Sequence, residues 1–200
     1  MKKLCTLTAL LALLSFTLQA QSTVRVNGGS GDLAYNEGDK IFLAGISFGY
    51  YGYGYLGSRN VGVPPITAAL ELGIHENFSV GPYVGYASWN YGYTGFDYSF
   101  NFLAVGARGS FHYVPLLNEA LDLSLDEEHL DFYVTLLVGL EFQTYSGDDF
   151  GGSLTYNNNT KFVIGPVLGF KYKFNDKFGV YFEGGRGAFG YGTLGVAIHF

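Results

Sequence analysis

The last eight residues of the chain, from Thr193 to Phe200, alternate strictly between apolar and small or polar side chains. A period of two is typical of a β-strand with one apolar face. The apolar positions are Leu194, Val196, Ile198 and Phe200. Such a strand would form an aggregation-prone edge in water. It is expected where a strand closes a barrel whose apolar face meets lipid, since only helices and closed barrels can span a membrane.

The first 20 residues have the pattern of a secretory signal peptide. Two lysines precede an uncharged apolar run that ends at Leu18, and Ala20 is a small residue in front of a cleavage point. The run is shorter than the roughly 20 apolar residues that a membrane-spanning helix needs, which favours a cleaved signal over an anchor. Residues 1–20 are therefore predicted to direct export, and the Gly- and Ser-containing residues 21–39 to form a flexible N-terminal lead.

The composition supports a membrane barrel and excludes several other classes. The chain is 48% hydrophobic but only 14% charged, whereas about 25% is usual for soluble domains. The only cysteine, Cys5, lies in the signal segment, so the exported part can form neither a disulfide nor a cysteine-based metal site. A net charge of −6 argues against nucleic acid as a partner.

The alternating segments predict an all-β, eight-stranded antiparallel up-and-down transmembrane β-barrel over residues 40–200. The predicted strands cover residues 40–51, 66–75, 78–89, 96–113, 130–145, 160–174, 178–186 and 191–200. An even strand number places both termini on one side of the membrane, which is periplasmic in outer-membrane barrels. The connection over residues 114–129 is long and acidic; a short amphipathic helix is one reading of its leucines, and a solvated excursion is favoured.

Three segments resemble motifs of the small eight-stranded outer-membrane β-barrels, the porin-like family that includes the OmpA transmembrane domain and OmpX. The end of the chain matches the assembly signal of that family, Val105–Tyr113 is similar to its G-x-R-x-x-Y-H-F strand, and Gly179–Gly185 is similar to its V-x-x-E-x-G strand. The residues of the predicted assembly signal are Thr193, Gly195, Ile198 and Phe200.

This resemblance implies a Gram-negative outer membrane as the location. It implies contact with outer-membrane lipids and lipopolysaccharide, and recognition of the terminal signal by the barrel assembly machinery. It does not identify a ligand of the external loops.

The alternation places six charged side chains inside the barrel, where they are predicted to form a salt-bridge network. These residues are Glu71, Arg108, Glu141, Lys171, Lys173 and Glu183. Because eight strands enclose an interior that side chains just fill, the favoured function is a non-enzymatic barrel with a plugged interior, structural or presenting surface loops. The alternative is a narrow channel for ions or small solutes, gated by exchange of salt-bridge partners.

Histidines and a serine provide candidates for other chemistry. His75, His112 and His199 face inward near the same barrel end, where they could bind zinc or sense pH. We favour polar rim residues, because their strands are not neighbours, and we predict no metal or cofactor. Ser110 shares a face with His112, but no Gly-x-Ser-x-Gly motif occurs. A lipid-modifying enzyme is therefore the least favoured membrane function, and no catalytic residue is predicted.

Two further alternatives concern the outer surface. The Tyr- and Gly-rich segments at residues 49–55 and 91–93 predict an interfacial aromatic girdle, or else an adhesive surface. A soluble lipid-binding barrel would require an apolar interior and a polar exterior, which is the reverse of the predicted pattern.

Overall fold

The chain folds into a closed barrel of eight antiparallel strands in up-and-down order, which confirms the predicted architecture. The computed structural model describes residues 33–48, 59–93, 96–147, 159–185 and 190–200. Each strand pairs with the next one in the chain, and the last pairs with the first. The strands are β1 (Lys40–Phe48), β2 (Arg59–His75), β3 (Phe78–Tyr93), β4 (Phe96–His112), β5 (Leu130–Gly147), β6 (Asn159–Lys173), β7 (Phe178–Gly185) and β8 (Gly192–His199).

The two ends of the barrel differ in their connections. We call the end at which β1 begins and β8 ends the proximal end. It also carries the connections from β2 to β3, from β4 to β5 and from β6 to β7. The opposite, distal end carries the other connections, most of whose residues lie outside the described ranges.

The side-chain alternation follows the predicted faces on every strand. Outward positions are apolar and exposed, as for Ile46, Leu136 and Phe162, of which 56%, 48% and 66% of the surface is accessible. Inward positions are buried, as for Ile41 and Phe102. The polarity expected of a soluble lipid-binding barrel is therefore reversed, because charged groups lie inside and apolar groups outside.

Two strand boundaries in the described residues differ from the sequence predictions by four or more residues. Strand β2 begins at Arg59, and its pairing with β3 shifts register between Val61 and Ile66. Pro64 and Pro65 lie in that interval; proline cannot donate a ladder hydrogen bond, and so the sequence pattern placed the strand start after them. Strand β3 continues to Tyr93, so that the predicted loop over residues 90–95 shortens to two residues.

The long acidic connection is more ordered than the favoured solvated excursion. It contains the helix α1 (Val114–Leu121), after which Asp122 adopts a left-handed conformation with φ of 52°. The Asn118 side chain donates to the Leu125 carbonyl and accepts from the Leu125 amide, each at 2.9 Å. Within the described ranges, no helix has the length and apolar character needed to cross a membrane.

The end of the predicted flexible lead is also packed in place. Residues 33–39 run across the proximal end, and Ala34 and Tyr35 are buried. The Ala34 amide donates to the Glu127 carbonyl at 2.7 Å. The last seven residues of the predicted lead therefore pack against the barrel.

Interior tyrosines lie against glycines of neighbouring strands. A Cβ atom added at Gly169 would overlap the ring of Tyr133, which leans across β6. Similar overlaps would occur at Gly106 and Gly139 with Tyr83, and at Gly45 and Gly195 with Tyr181. These glycines are required for space, because the interior of an eight-stranded barrel is narrow.

Candidate functional site: a buried charged cluster

The barrel interior contains an aromatic layer in its distal half and a cluster of charged side chains in its proximal half. In the distal half the rings of Trp89 and Phe102 meet edge to face, with centroids 5.1 Å apart. The proximal half holds what we call the charged cluster, whose members are Glu71, Arg108, His112, Asp131, Lys171 and Glu183. Each member is less than 10% exposed, so these charges depend on one another rather than on bulk water.

Arg108 on β4 joins two carboxylates from opposite parts of the barrel wall. Its Nη2 lies 3.0 Å from Glu71 Oε1 and also forms a salt bridge with Glu183 Oε1. The same nitrogen lies 3.2 Å from Thr135 Oγ1. Tyr133 donates its hydroxyl proton to Glu183 Oε1 at 3.0 Å, so this carboxylate has a second donor in addition to the guanidinium of Arg108.

Lys171 on β6 connects the same cluster toward the proximal end. Its Nζ lies 3.4 Å from Glu71 Oε2 and 3.1 Å from Asp131 Oδ2. It also lies 5.1 Å from the centroid of the Tyr133 ring, within the range of a cation–π interaction. Glu71 therefore bridges the two cations, with Arg108 on one oxygen and Lys171 on the other.

A histidine extends the cluster to the proximal mouth. His112 Nδ1 lies 2.9 Å from both carboxylate oxygens of Asp131, and its Nε2 lies 3.0 Å from Ser79 Oγ. Because a carboxylate only accepts, Nδ1 carries the proton toward Asp131. In the neutral imidazole Nε2 then accepts from the Ser79 hydroxyl.

Two hydroxyl groups complete the hydrogen bonding around Glu71. Ser110 donates to Glu71 Oε1 at 3.0 Å and lies 2.8 Å from Thr135 Oγ1. Since Ser110 uses its only proton on Glu71, Thr135 donates to Ser110 and accepts from Arg108. The Ser110–His112 pairing considered from the sequence is not formed, because His112 bonds Ser79 instead.

The space around the cluster is small. A cavity of about 20 Å³ lies between Tyr83, Arg108 and Glu183, among other residues. A second cavity, of about 10 Å³, lies beside Tyr35 and His112. A single water needs roughly 10–15 Å³, so neither cavity is large enough for a solute.

The ion pairs of the charged cluster are buried. Removing one partner of a buried ion pair typically costs about 3–5 kcal/mol of stability, because the other charge is left uncompensated.

The structure brings together four of the six predicted interior residues, namely Glu71, Arg108, Lys171 and Glu183. Glu141 lies away from them, opposite Lys161 in the β5–β6 register. Lys173 is buried, and its Nζ donates to the Leu33 carbonyl at 3.3 Å.

Sequence reasoning missed Asp131, although it precedes the outward Phe132 and therefore lies on the inward face. It also missed Ser79 and Tyr133, which face inward by the same alternation. The alternation places these side chains on the inward face, but it does not indicate which of them bond to one another.

The three inward histidines do not share a site. His112 is buried in the cluster, whereas His75 is exposed and its Nδ1 accepts weakly from the Asn77 amide at 3.4 Å. His199 is partly buried and lies opposite Ile41. In the part of the chain that the structure describes, no group of three or more His, Cys, Asp or Glu side chains is arranged to hold a metal ion.

An aromatic girdle surrounds part of the proximal rim. Rings contact one another in sequence around the outer wall, with centroids 5.0 to 6.5 Å apart. These residues are Phe78, Phe111, Tyr113, Phe132 and Phe170. The sequence predicted a girdle at residues 49–55 and 91–93 instead; of these, residues 49–55 and the side chains of residues 91–93 lie outside the described part of the structure.

Comparisons with known proteins find similarity to solved barrel structures. No protein-family model matches the chain, and no curated protein matches it. The attachment invasion locus protein Ail of Yersinia pestis, in complex with the heparin analogue sucrose octasulfate, is 14% identical, with 82% of this chain and 95% of Ail covered and a TM-score of 0.43. The N-terminal β-barrel domain of Pseudomonas aeruginosa OprF is 14% identical, with 83% and 100% covered and a TM-score of 0.41. Our assignment of the fold rests on the strand pairing of the chain itself.

Proposed function

We propose that this protein is a non-enzymatic, integral outer-membrane β-barrel whose interior is filled by its own side chains. The observation that carries the proposal is the polarity of the wall, with charged groups inside and apolar groups outside. A soluble monomer rarely exposes an apolar patch larger than a few hundred Å². Here large apolar side chains are exposed on all eight strands, which fits a surface covered by lipid.

The aromatic rings of the proximal rim support the same proposal, and the positions of the strand ends indicate how the barrel is oriented in the membrane. Transmembrane barrels carry aromatic girdles where the wall meets the headgroups, and the proximal rim has such a set of rings. The proximal end, where β1 begins and β8 ends, is proposed to face the periplasm. The distal connections then face outward among lipopolysaccharide, and residues 1–20 direct export.

The C-terminal strand is proposed to be read during assembly. Phe200 is 77% exposed at the proximal end, and Ile198 and Leu194 continue its apolar face along β8. An exposed terminal aromatic is accessible to the barrel assembly machinery, which the resemblance of this segment implies as a partner.

The burial of the Ser79–His112–Asp131 chain supports a non-enzymatic role. These residues have the connectivity of a serine hydrolase triad. However, Ser79 is only 1% exposed, and the ring of Tyr35 stacks on His112. While Tyr35 occupies this position, a substrate has no space to reach the hydroxyl, so we assign the chain of hydrogen bonds to stabilising the mouth.

The filling of the interior supports a closed barrel over the alternative of a narrow channel. Trp89 and Phe102 pack inside the distal half, and the charged cluster occupies the proximal half. An ion would have to displace both layers. The barrel is therefore proposed to act through its wall and its distal loops rather than by conduction.

Fractionation of cells that express the full chain tests the proposal. The protein should collect in the outer membrane, and its band should migrate faster without boiling than after boiling, as a folded barrel resists detergent. The matched control is the same sample boiled before loading. A soluble band without a heat-dependent shift would refute membrane integration, and conductance steps of the purified protein in planar bilayers would refute the filled interior.

A further inference from the structure

Residues 33–39, which we call the plug segment, cross the proximal mouth and precede β1; of their main-chain hydrogen bonds to the strands, those of Gly38 and Asp39 go to Gly73 near the end of β2. Main-chain hydrogen bonds hold both of its ends. The Ala34 amide donates to the Glu127 carbonyl at 2.7 Å, and the Gly38 amide donates to the Gly73 carbonyl at 2.9 Å. The segment thereby extends from the acidic connection after α1 to the C-terminal end of β2.

Tyr35 is the anchor of the plug segment. Its ring stacks face to face on the His112 imidazole, with centroids 3.6 Å apart and planes 5° from parallel. Its hydroxyl proton is shared between the carbonyl oxygens of His75 and Phe78, which lie on either side of the β2–β3 turn. Burial, together with the charge of Glu71, raises the pKa of Tyr35, so the hydroxyl stays protonated as a donor.

The pocket that receives Tyr35 is matched to a phenol. It offers an aromatic face to the ring and two carbonyl oxygens to the hydroxyl. The remaining space beside the ring is about 10 Å³, which is no more than one water requires, at roughly 10–15 Å³. Tyr35 therefore closes the mouth directly over His112 and the Asp131 carboxylate that bonds it.

The plug segment is held far less strongly than the wall beneath it. Each strand shares a continuous hydrogen-bonded ladder with two neighbours. The segment has the aromatic anchor of Tyr35, the buried Ala34, and separate hydrogen bonds at Leu33, Ala34, Gly38 and Asp39 in place of such a ladder. Elements with few contacts open locally at a lower free energy than the whole fold. Opening of this segment leaves the barrel closed, because the ladders of β1 with β2 and β8 begin at Lys40 and Ile41, after the segment.

We propose that the proximal mouth contains a phenol-binding pocket which the chain's own Tyr35 occupies, and that residues 33–39 are a detachable plug controlling access to the charged cluster from that side. The ligand class is a phenol, either the tyrosine of the plug or one supplied from outside. The proposal does not depend on which solvent covers the outer wall, so it stands or falls separately from membrane integration.

Thiol labelling beneath the plug tests this proposal. The reporter is Ser79→Cys in a Cys5→Ser background, which has no other cysteine. Ser79 is 1% exposed and bonded to His112, so labelling by a small water-soluble thiol reagent requires opening of the mouth. Adding Tyr35→Ala to the reporter chain should accelerate labelling by about tenfold or more, as loss of a buried aromatic anchor shifts the opening equilibrium.

A small phenol provides the decisive arm. p-Cresol added to the Tyr35→Ala chain should slow the labelling again, and it should have no effect on the chain that retains Tyr35. Tyr113→Ala is the matched control, because Tyr113 contacts Phe111 and Phe132 on the outside of the same rim. That variant should leave the labelling rate unchanged.

Two results would overturn the proposal. Equal labelling rates with and without Tyr35 would mean that the segment does not control access. Acceleration that p-cresol fails to reverse would mean that the pocket does not recognise a phenol. If Tyr35→Ala lacks the heat-dependent gel shift, Tyr35→Phe replaces it. This variant keeps the ring but loses the hydroxyl proton that the two carbonyl oxygens share, and an unaltered labelling rate would again contradict the proposal.

Discussion

Replacement of Leu136 by arginine tests the membrane assignment quantitatively. Leu136 lies on the outward face of β5, four residues from Phe132 in the proximal girdle. Four residues at about 3.3 Å each, in a strand tilted by about 40°, raise Leu136 roughly 10 Å above the girdle. The apolar band of a transmembrane barrel is about 25 Å tall, so Leu136 lies close to its midplane. Arginine there should cost about 2–4 kcal/mol of unfolding free energy.

The assay is urea unfolding of the barrel in lipid vesicles, followed by the fluorescence of Trp89, the only tryptophan in the chain and a buried one. The matched control is Leu121→Arg, since Leu121 is 61% exposed on α1, outside the strands. Surface substitutions in water usually change stability by less than about 0.5 kcal/mol. If Leu136→Arg were as mild as Leu121→Arg, the wall would face water and the membrane assignment would be refuted.

Three further outcomes follow from the interior. Gly169→Ala should destabilise the barrel by about 1–3 kcal/mol, because the added Cβ overlaps the ring of Tyr133. Gly109→Ala is the control and should not destabilise it, because the space around its Cβ position is open. Equal effects of the two substitutions in urea unfolding would contradict the packing. Arg108→Met should lower the free energy of unfolding by about 3–5 kcal/mol, since it leaves Glu71 and Glu183 without their shared cation. A decrease of less than about 1 kcal/mol in the same assay would show that water solvates the cluster. A fluorophosphonate probe should leave the wild-type chain unlabelled in a gel assay, while serine labelling would contradict the non-enzymatic proposal.

The wall of the barrel could be predicted from the sequence because its physics is local. In β5 and β8 an apolar side chain recurs at every second residue, and that alternation alone determines which face points outward. The start of β2 could not be located in the same way. Pro64 and Pro65 normally mark the end of a strand, and they are accommodated here where the pairing with β3 shifts register.

The charged cluster was only partly predictable because its partners come from distant parts of the chain. Alternation places Arg108 inside but does not specify that Glu71 and Glu183, from β2 and β7, will reach it. The position of Tyr35 depends on a pocket formed by three separate strands and turns, and nothing in the local sequence of residues 33–39 signals that pocket. Long-range contacts of this kind require the register of the whole sheet.

The seam between β1 and β8 differs mechanically from the rest of the wall. Seven of the eight strand interfaces join segments that are also linked by a chain connection, whereas β1 and β8 are joined by their own ladder, from Ile41 opposite His199 to Phe48 opposite Gly192. A force that pulls the wall apart sideways would meet no covalent link there. The gap would expose two unpaired strand edges, each a template for another strand. The seam is therefore where this barrel would open laterally and where a foreign strand could be added to it.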